Sequence, residues 1–479
     1  MKLSLLEEPL LEFAQGNHIC PRYGITDYHV YDSQKFPRRD SIFIGGIGTS
    51  ANIEKFSAWI EKCSFYIPSI AKTKNDKLSL WMDFCGFNVD SGFQSKLITE
   101  ETICRNLSNS DVKEIIAIED WNTRVERAVD LYYNQIKFLA QNRQVDVIAC
   151  IISSDLYKML VQEKIATAEE RLEDDRPEDL VEINFRRLLK AKSMHLNKPL
   201  QIIKEITLES NTKDQHDDAT KAWNMCTAIY YKSSPSAIPW KLIKNENKPS
   251  SCFIGISFYR SRDRKILNTS LAQLFDELGN SVILRGNPVD IDKNDRQPHL
   301  KAEQAFDLLK QALYEYEVAM SHSPGRLVIH KTSKYNPEEI EGLKQAAKEA
   351  RIKTVDFITI LDTNLNLFRK GEYPPYRGTH IELDKENHLL YTRGSVKHYQ
   401  TYTGLYIPQP LEIRIVESDE SPTTICQEIL ALTKMNWNNT QFDGKYPITI
   451  SCSRNVGQVM KYLDRQEDPK PQIGYAFYM

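Results

Sequence analysis

A chain of 479 residues, 41% hydrophobic and 27% charged, has room for two or three domains and enough apolar mass for real cores. Its net charge of -3 excludes a globally basic nucleic-acid binder, so any such surface must be a local groove. Nine cysteines stand singly with no C-x-x-C pair, which argues for reduced thiols and against a zinc site or a disulfide framework. Acids at Glu7 and Glu8 come too early for a signal peptide, and no apolar run approaches membrane-spanning length. The expectation is a cytosolic, metal-poor protein with no membrane contact.

Residues 1–110 read as a lead-in region of short strand-like runs and turns, Ser41–Gly48 among them. Residues 145–152 are continuously apolar, as in a strand buried on both faces. Residues 156–168 look helical, and the acidic, Pro-broken stretch 169–179 reads as a solvated loop. A helix through Phe185 to Lys190, a strand starting at Gln201 and a helix ending at Lys232 follow. This alternation predicts a Rossmann-like α/β domain over 111–245. The polar run Asn245-Glu246-Asn247-Lys248-Pro249-Ser250 is the best domain boundary.

The second domain, 246–479, opens with a strand over 252–259 and a hairpin over 270–285 turning at Gly279-Asn280. A long amphipathic helix (301–322), a strand (326–330), a helix with Pro337 near its start, and a strand (353–361) come next. Hairpin followed by βαβ is the order of an RNase H-like fold. Helices over 423–435 and 456–463 flank an expected strand at 447–451. Asp290-x-Asp292-x-Asn294-Asp295 imitates an EF-hand loop, but Asp295 stands where Gly is required and Lys301 where the bidentate Glu belongs. His322 and His330 lack partnered acids and read as structural or surface residues.

Four polar residues carry the functional signal. Arg186 and Lys190 are four apart on a helix and so share one face. Gln201 opens the next strand, and Lys232 closes the next helix before a small-residue turn and Pro-Trp. Two cations on a helix, an amide at a strand edge and a cation at a helix end can converge on one dianion, which suits a terminal phosphate. Taken alone, an Arg-x-x-x-Lys pair is a solvated helix face.

The whole pattern resembles the pocket of the Argonaute MID domain that holds the 5′ end of a guide strand, in its Arg form. Lys221 competes for the last cation; Lys232 is preferred because the family's lysine sits at the helix end before the turn. Pro21-Arg22-Tyr23-Gly24-Ile25 and Phe84-Cys85-Gly86-Phe87 resemble motifs near the start of short prokaryotic Argonautes, the second with Cys85 in place of Pro. Read without the family, both are turn chemistry. The resemblance covers the whole chain and implies a MID–PIWI layout without a PAZ domain.

In the PIWI domain of that family, metal-binding acids stand at strand ends where this chain carries Ser257 and Thr332, and hydroxyls do not replace carboxylates on Mg²⁺. The resemblance therefore implies a catalytically inactive guide-binding subunit. Its guide would be RNA and its target single-stranded invading plasmid or phage DNA. A Mg²⁺ ion would be shared by the guide phosphate, Gln201 and the carboxylate of Met479. The partner would be an APAZ-domain effector, in a heterodimer whose NAD-depleting activity (sirtuin-like or TIR) leads to abortive infection. The alternatives are a nuclease effector, a chain that is itself an active guided nuclease, and a scaffold that binds no guide.

Overall fold

Val147–Ile152 is buried along its whole length, as an unbroken apolar run inside a parallel sheet should be. In the computed structural model it lies between Ser41–Gly48 and Leu200–Lys204, parallel to both. Ser41–Gly48 also pairs in parallel with Lys96–Ile98 and Cys104–Asn106, completing a five-stranded layer. The structure describes residues 1–35, 38, 40–69, 81–161, 184–210, 217–243, 249–262, 265–275, 280–292, 295–368, 370, 374–402, 407–463, 472 and 474–479. Helices Ser50–Cys63, Trp121–Asn142 and Asp218–Ser233 pack on this sheet, so the expected α/β alternation is present. Sheet pairing runs across residue 110, the expected boundary. Ser41–Gly48, Lys96–Ile98 and Cys104–Asn106 belong to one sheet with Val147–Ile152, and backbone hydrogen bonding holds them together across that point.

The second layer is a nine-stranded mixed sheet. Its parallel centre is Ser251–Arg260, Arg326–Lys331 and Thr354–Asp362. On one side comes the antiparallel hairpin Leu267–Phe275 with Asn280–Val289; its expected turn at Gly279 lies outside the described residues. On the other side Leu411–Glu417, Asn387–Leu390, Thr379–Glu382 and finally Lys2–Leu5 extend the sheet, all antiparallel. Helices Ala302–Met320 and Pro337–Glu349 pack on each other, close to the expected bounds.

The expected strand at 447–451 is instead the first turn of helix Ile448–Met460. Ile-Thr-Ile has strand propensity, but Ile448, Cys452, Val456 and Val459 recur at helical spacing and are all buried. Gly255 makes this packing possible, because a Cβ there would lie 2.2 Å from the Thr449 carbonyl oxygen. The Pro21 motif is also helical rather than a turn: Pro21 opens helix Pro21–Tyr28 at N1. Gly86 does take φ +86°, between the buried rings of Phe84 and Phe87.

Helix Ser154–Leu160 accounts for the start of the expected 156–168 helix; residues 162–183, with the acidic stretch, lie outside the described residues. So do residues 244–248 of the expected linker. Among the described residues, no helix is long and apolar enough to cross a membrane. The two layers meet along an aromatic seam. Trp240 Nε1 donates to the Lys434 carbonyl (3.0 Å), Trp437 Nε1 donates to the Trp240 carbonyl (3.1 Å), and Tyr231 stacks on Trp437.

Candidate functional site

The seam places the last residues of the sequence against the first layer. Helix Phe185–Ser193 starts where the Asn184 side chain accepts from the Arg187 N–H, and it buries Phe185 and Leu189. That rotation turns Arg186 and Lys190 to a common face, with Arg186 exposed and Lys190 buried. Lys190 Nζ donates to the main-chain oxygen of Met479 and, at 3.4 Å, to that of Tyr478. Lys232, in the last turn of helix Asp218–Ser233, donates to Gln201 Oε1 at 2.8 Å, the Leu200 carbonyl at 3.2 Å and the Met479 oxygen at 3.4 Å.

Lys190, Gln201, Lys232 and Met479 are thus in one hydrogen-bonded cluster. Arg186, Gln201, Lys232 and Met479 line a cavity of about 640 Å³. Lys221 lines the same cavity but pairs with Asp218 at 2.7 Å and with the Glu209 carbonyl at 2.6 Å, so its charge is answered locally.

The electrostatics of the two clustered lysines are one-sided. Among the described residues, neither forms an ion pair with an Asp or Glu. Burial, then the neighbouring charges of Lys232 and Arg186, hold the Lys190 ammonium well below the usual lysine range. Burial and Arg186 bring Lys232 down to about 7. Both lysines occupy the last turn of a helix, where the negative end of the helix dipole favours a cation. Main-chain oxygens, one amide and two helix ends offset the desolvation of two ammonium groups only in part. The arrangement is suited to receiving an anion.

The cavity also draws in residues that the sequence did not single out: Trp81, Tyr157, Lys204, Asn224 and Asn438. Lys204 Nζ lies 4.2 Å from the centroid of the Tyr157 ring. Trp81 and Asn438 are separated from the motif by long stretches of chain, and no local spacing joins them to it. The Lys204 ammonium was the one legible signal, three residues after Gln201 on the same strand.

Ser257, inside strand Ser251–Arg260, and Thr332, just past the end of strand Arg326–Lys331, lie on neighbouring parallel strands. Ile256 is in register with Lys331, so Ser257 and Thr332 are the next residues of each strand, and the Thr332 N–H donates to the Ile256 carbonyl at 3.3 Å. Ser257 is buried, its Oγ 2.9 Å from Ser270 Oγ, and Ser270 Oγ donates to the Ser453 carbonyl at 2.8 Å. His330 is fully buried against Thr449 Oγ1 at 2.9 Å, and burial beside Arg326 lowers it to about 3, so it is a neutral structural residue. His322 is exposed and edge-on to Tyr316. Asp295 pairs with His299 at 2.8 Å, while Asn294 lies outside the described residues. Among the described residues, no group of three or more His, Cys, Asp or Glu is arranged to hold a metal.

No protein-family model matches the chain. A 227-residue stretch is 25% identical to the "Protein argonaute" of Aquifex aeolicus, covering 47% of this chain and 29% of that protein. Clostridium butyricum Argonaute bound to a guide DNA and a 19-mer target DNA superposes over 96% of the chain with a TM-score of 0.66 at 17% identity. The fold is the Argonaute fold. Aquifex aeolicus Argonaute with externally bound siRNA matches all of the chain (TM-score 0.61, 16% identity). So does Marinitoga piezophila Argonaute in complex with a 5′-OH guide RNA (TM-score 0.56, 14% identity). The chain covers 53–59% of the length of these three solved Argonautes. In this Argonaute-fold chain, the cavity at Met479 brings Arg186, Gln201 and Lys232 to one wall.

Proposed function

We propose that this chain is a member of the Argonaute family and the guide-binding subunit of a short prokaryotic Argonaute system. The observation that carries the reading is the buried pair Lys190 and Lys232, joined through the Met479 oxygen, with Lys232, Gln201 and Arg186 lining a cavity of about 640 Å³. A guide 5′-phosphate entering this cavity brings these groups a dianion. Lys190 and Lys232 neutralise it from below, Gln201 donates its amide N–H, and Arg186 closes over it from the rim. Each charge-assisted contact of this kind is worth about 1.5–3 kcal/mol.

Gln201 Oε1 and the Met479 oxygen fit a hard cation, since the single ammonium of Lys232 already bridges them at 2.8 and 3.4 Å. Mg²⁺ held there would screen the guide phosphate from the Met479 oxygen. The direct test is affinity for guide RNA carrying a 5′-phosphate against the same RNA with a 5′-hydroxyl. The phosphorylated guide should bind more tightly, and equal affinities would overturn the pocket assignment. The 5′-OH guide in the Marinitoga structure makes this the informative comparison.

In the same reading the chain pairs its guide with single-stranded invading DNA and does not cut it. Ser257 and Thr332 offer two hydroxyls where two-metal hydrolysis needs carboxylates. The enzymatic step then belongs to an APAZ-domain partner, which depletes NAD when target binding favours its active state. Co-expression with the neighbouring gene product, followed by NAD consumption with guide and complementary single-stranded DNA, tests this. Metal-dependent, guide-directed cleavage by the purified chain would refute it.

A further inference from the structure

Asn224 stands in helix Asp218–Ser233, eight residues before Lys232, and lines the same cavity. At 1.5 Å of rise per residue the two are about 12 Å apart along the helix axis, and both side chains lean toward its N-terminus, so the separation persists at their tips. One phosphate group does not span it.

The Asn224 amide is held from outside the cavity. One of its polar ends accepts from the Thr440 N–H at 3.1 Å and from the Thr440 hydroxyl at 3.2 Å. Two donors on that side identify it as Oδ1, which leaves Nδ2, with its two N–H groups, as the other end. Nδ2 has no hydrogen-bond partner among the described residues. Thr440 Oγ1 in turn accepts from Arg22 Nε at 2.8 Å, so the hydroxyl hydrogen is left to donate to Asn224. Guanidinium, hydroxyl and amide therefore run in one direction, each bond polarising the next, and the chain ends on an N–H donor. Its members come from remote places. Arg22 belongs to helix Pro21–Tyr28, and Thr440, 3% exposed, to the segment between helices Pro422–Leu432 and Ile448–Met460. Arg22 does not itself line the cavity.

We infer that Asn224 donates from Nδ2 to an acceptor of the guide beyond its terminal phosphate, and that Arg22 and Thr440 are positioning residues that aim this donor. The acceptor is an oxygen or nitrogen of the terminal nucleoside or of the backbone that follows it. The inference rests on the proposed guide site and adds a second point of attachment along the same helix.

The experiment is the affinity of the full chain for 5′-phosphorylated guide RNA, read by fluorescence anisotropy. Asn224→Ala removes the donor and should weaken binding about fivefold; Asn224→Asp puts a charged acceptor in its place and should cost about tenfold or more. Thr440→Val should cost about threefold in the unaltered background and nothing further beside Asn224→Ala, and Thr440→Ser should restore the loss. A tie that only held the two layers together would give the same loss with and without Asn224, and that result would overturn the positioning role. Should Thr440→Val melt early, Arg22→Met interrupts the same chain one bond further out and is read in the same cycle. Inorganic phosphate, used as a competitor, should bind the Asn224→Ala and unaltered chains equally; a loss there would put Asn224 in the phosphate pocket and overturn the inference. Adenosine 5′-monophosphate locates the acceptor: weakened competition with Asn224→Ala assigns it to the terminal nucleoside, unchanged competition to the backbone beyond. A retained 5′-phosphate preference with full guide affinity in both Asn224 variants would overturn the inference and leave the guide site standing. Absence of guide binding by the unaltered chain would overturn both.

Discussion

Buried positive charge is handled in opposite ways at two places in the molecule. In the second layer, Lys331 is 1% exposed and pairs with Glu339 at 2.5 Å, while Arg326 is answered by Asp356 and Glu428, both at 2.6 Å. In the first layer's cluster, Lys190 and Lys232 are also buried but rest on main-chain oxygens and an amide. A buried cation with its own acid is part of the fold; one without is an unfilled requirement. The contrast separates a ligand site from a structural network without reference to any motif.

The comparison is most sharply tested by breaking the cluster. Lys190→Ala combined with Gln201→Ala removes two contacts worth about 1.5–3 kcal/mol each, so affinity for a 5′-phosphorylated guide should fall by roughly a hundredfold or more. Fluorescence anisotropy with labelled RNA reads this directly, and a smaller loss would place the phosphate elsewhere. Glu339→Ala should do the reverse kind of damage: no direct effect on guide binding, but destabilisation of about 3–5 kcal/mol by chemical denaturation, because Lys331 would be left uncompensated.

The pH dependence of the first site follows from Lys232. Its folded value of about 7 lies below the ordinary 10.5, so between these limits the unfolded chain binds more protons than the folded one. Lys232 therefore makes the ligand-free protein more stable as pH rises from 7 toward 10.5, while phosphate binding, which needs the ammonium, weakens over the same span. Opposite slopes in thermal melts and in guide titrations would establish it; parallel slopes would not fit. The smallest expected effect is Lys190→Met, which should raise the stability of the ligand-free chain by about 1 kcal/mol while lowering affinity for the phosphate.

Much of this was legible in the sequence because it is local. The helix carrying Arg186 and Lys190, the strand at Gln201 and the helix ending at Lys232 each follow from short-range periodicity, and the neighbouring placement of Ser257 and Thr332 accords with the family resemblance. What failed was non-local. Ile448-Thr449-Ile450 looks like a strand until Gly255, almost two hundred residues earlier, opens the space in which a helix can lie. Sheet pairing between Ser41–Gly48 and Val147–Ile152, across residue 110, leaves no trace in composition. Trp81 and Asn438 were invisible for the same reason.

The Met479 oxygen has a consequence for the order of events during synthesis. Its contacts with Lys190 and Lys232 span 289 and 247 residues. Domains fold as they emerge, N-terminal first, so the sheet that carries Lys190, Gln201 and Lys232 can form while the second layer is still being made. At that stage the two ammonium groups have no Met479 to rest on, and the cleft is open on that side. Completion of the cluster therefore waits on Met479, and on the second layer that places it against Lys190 and Lys232.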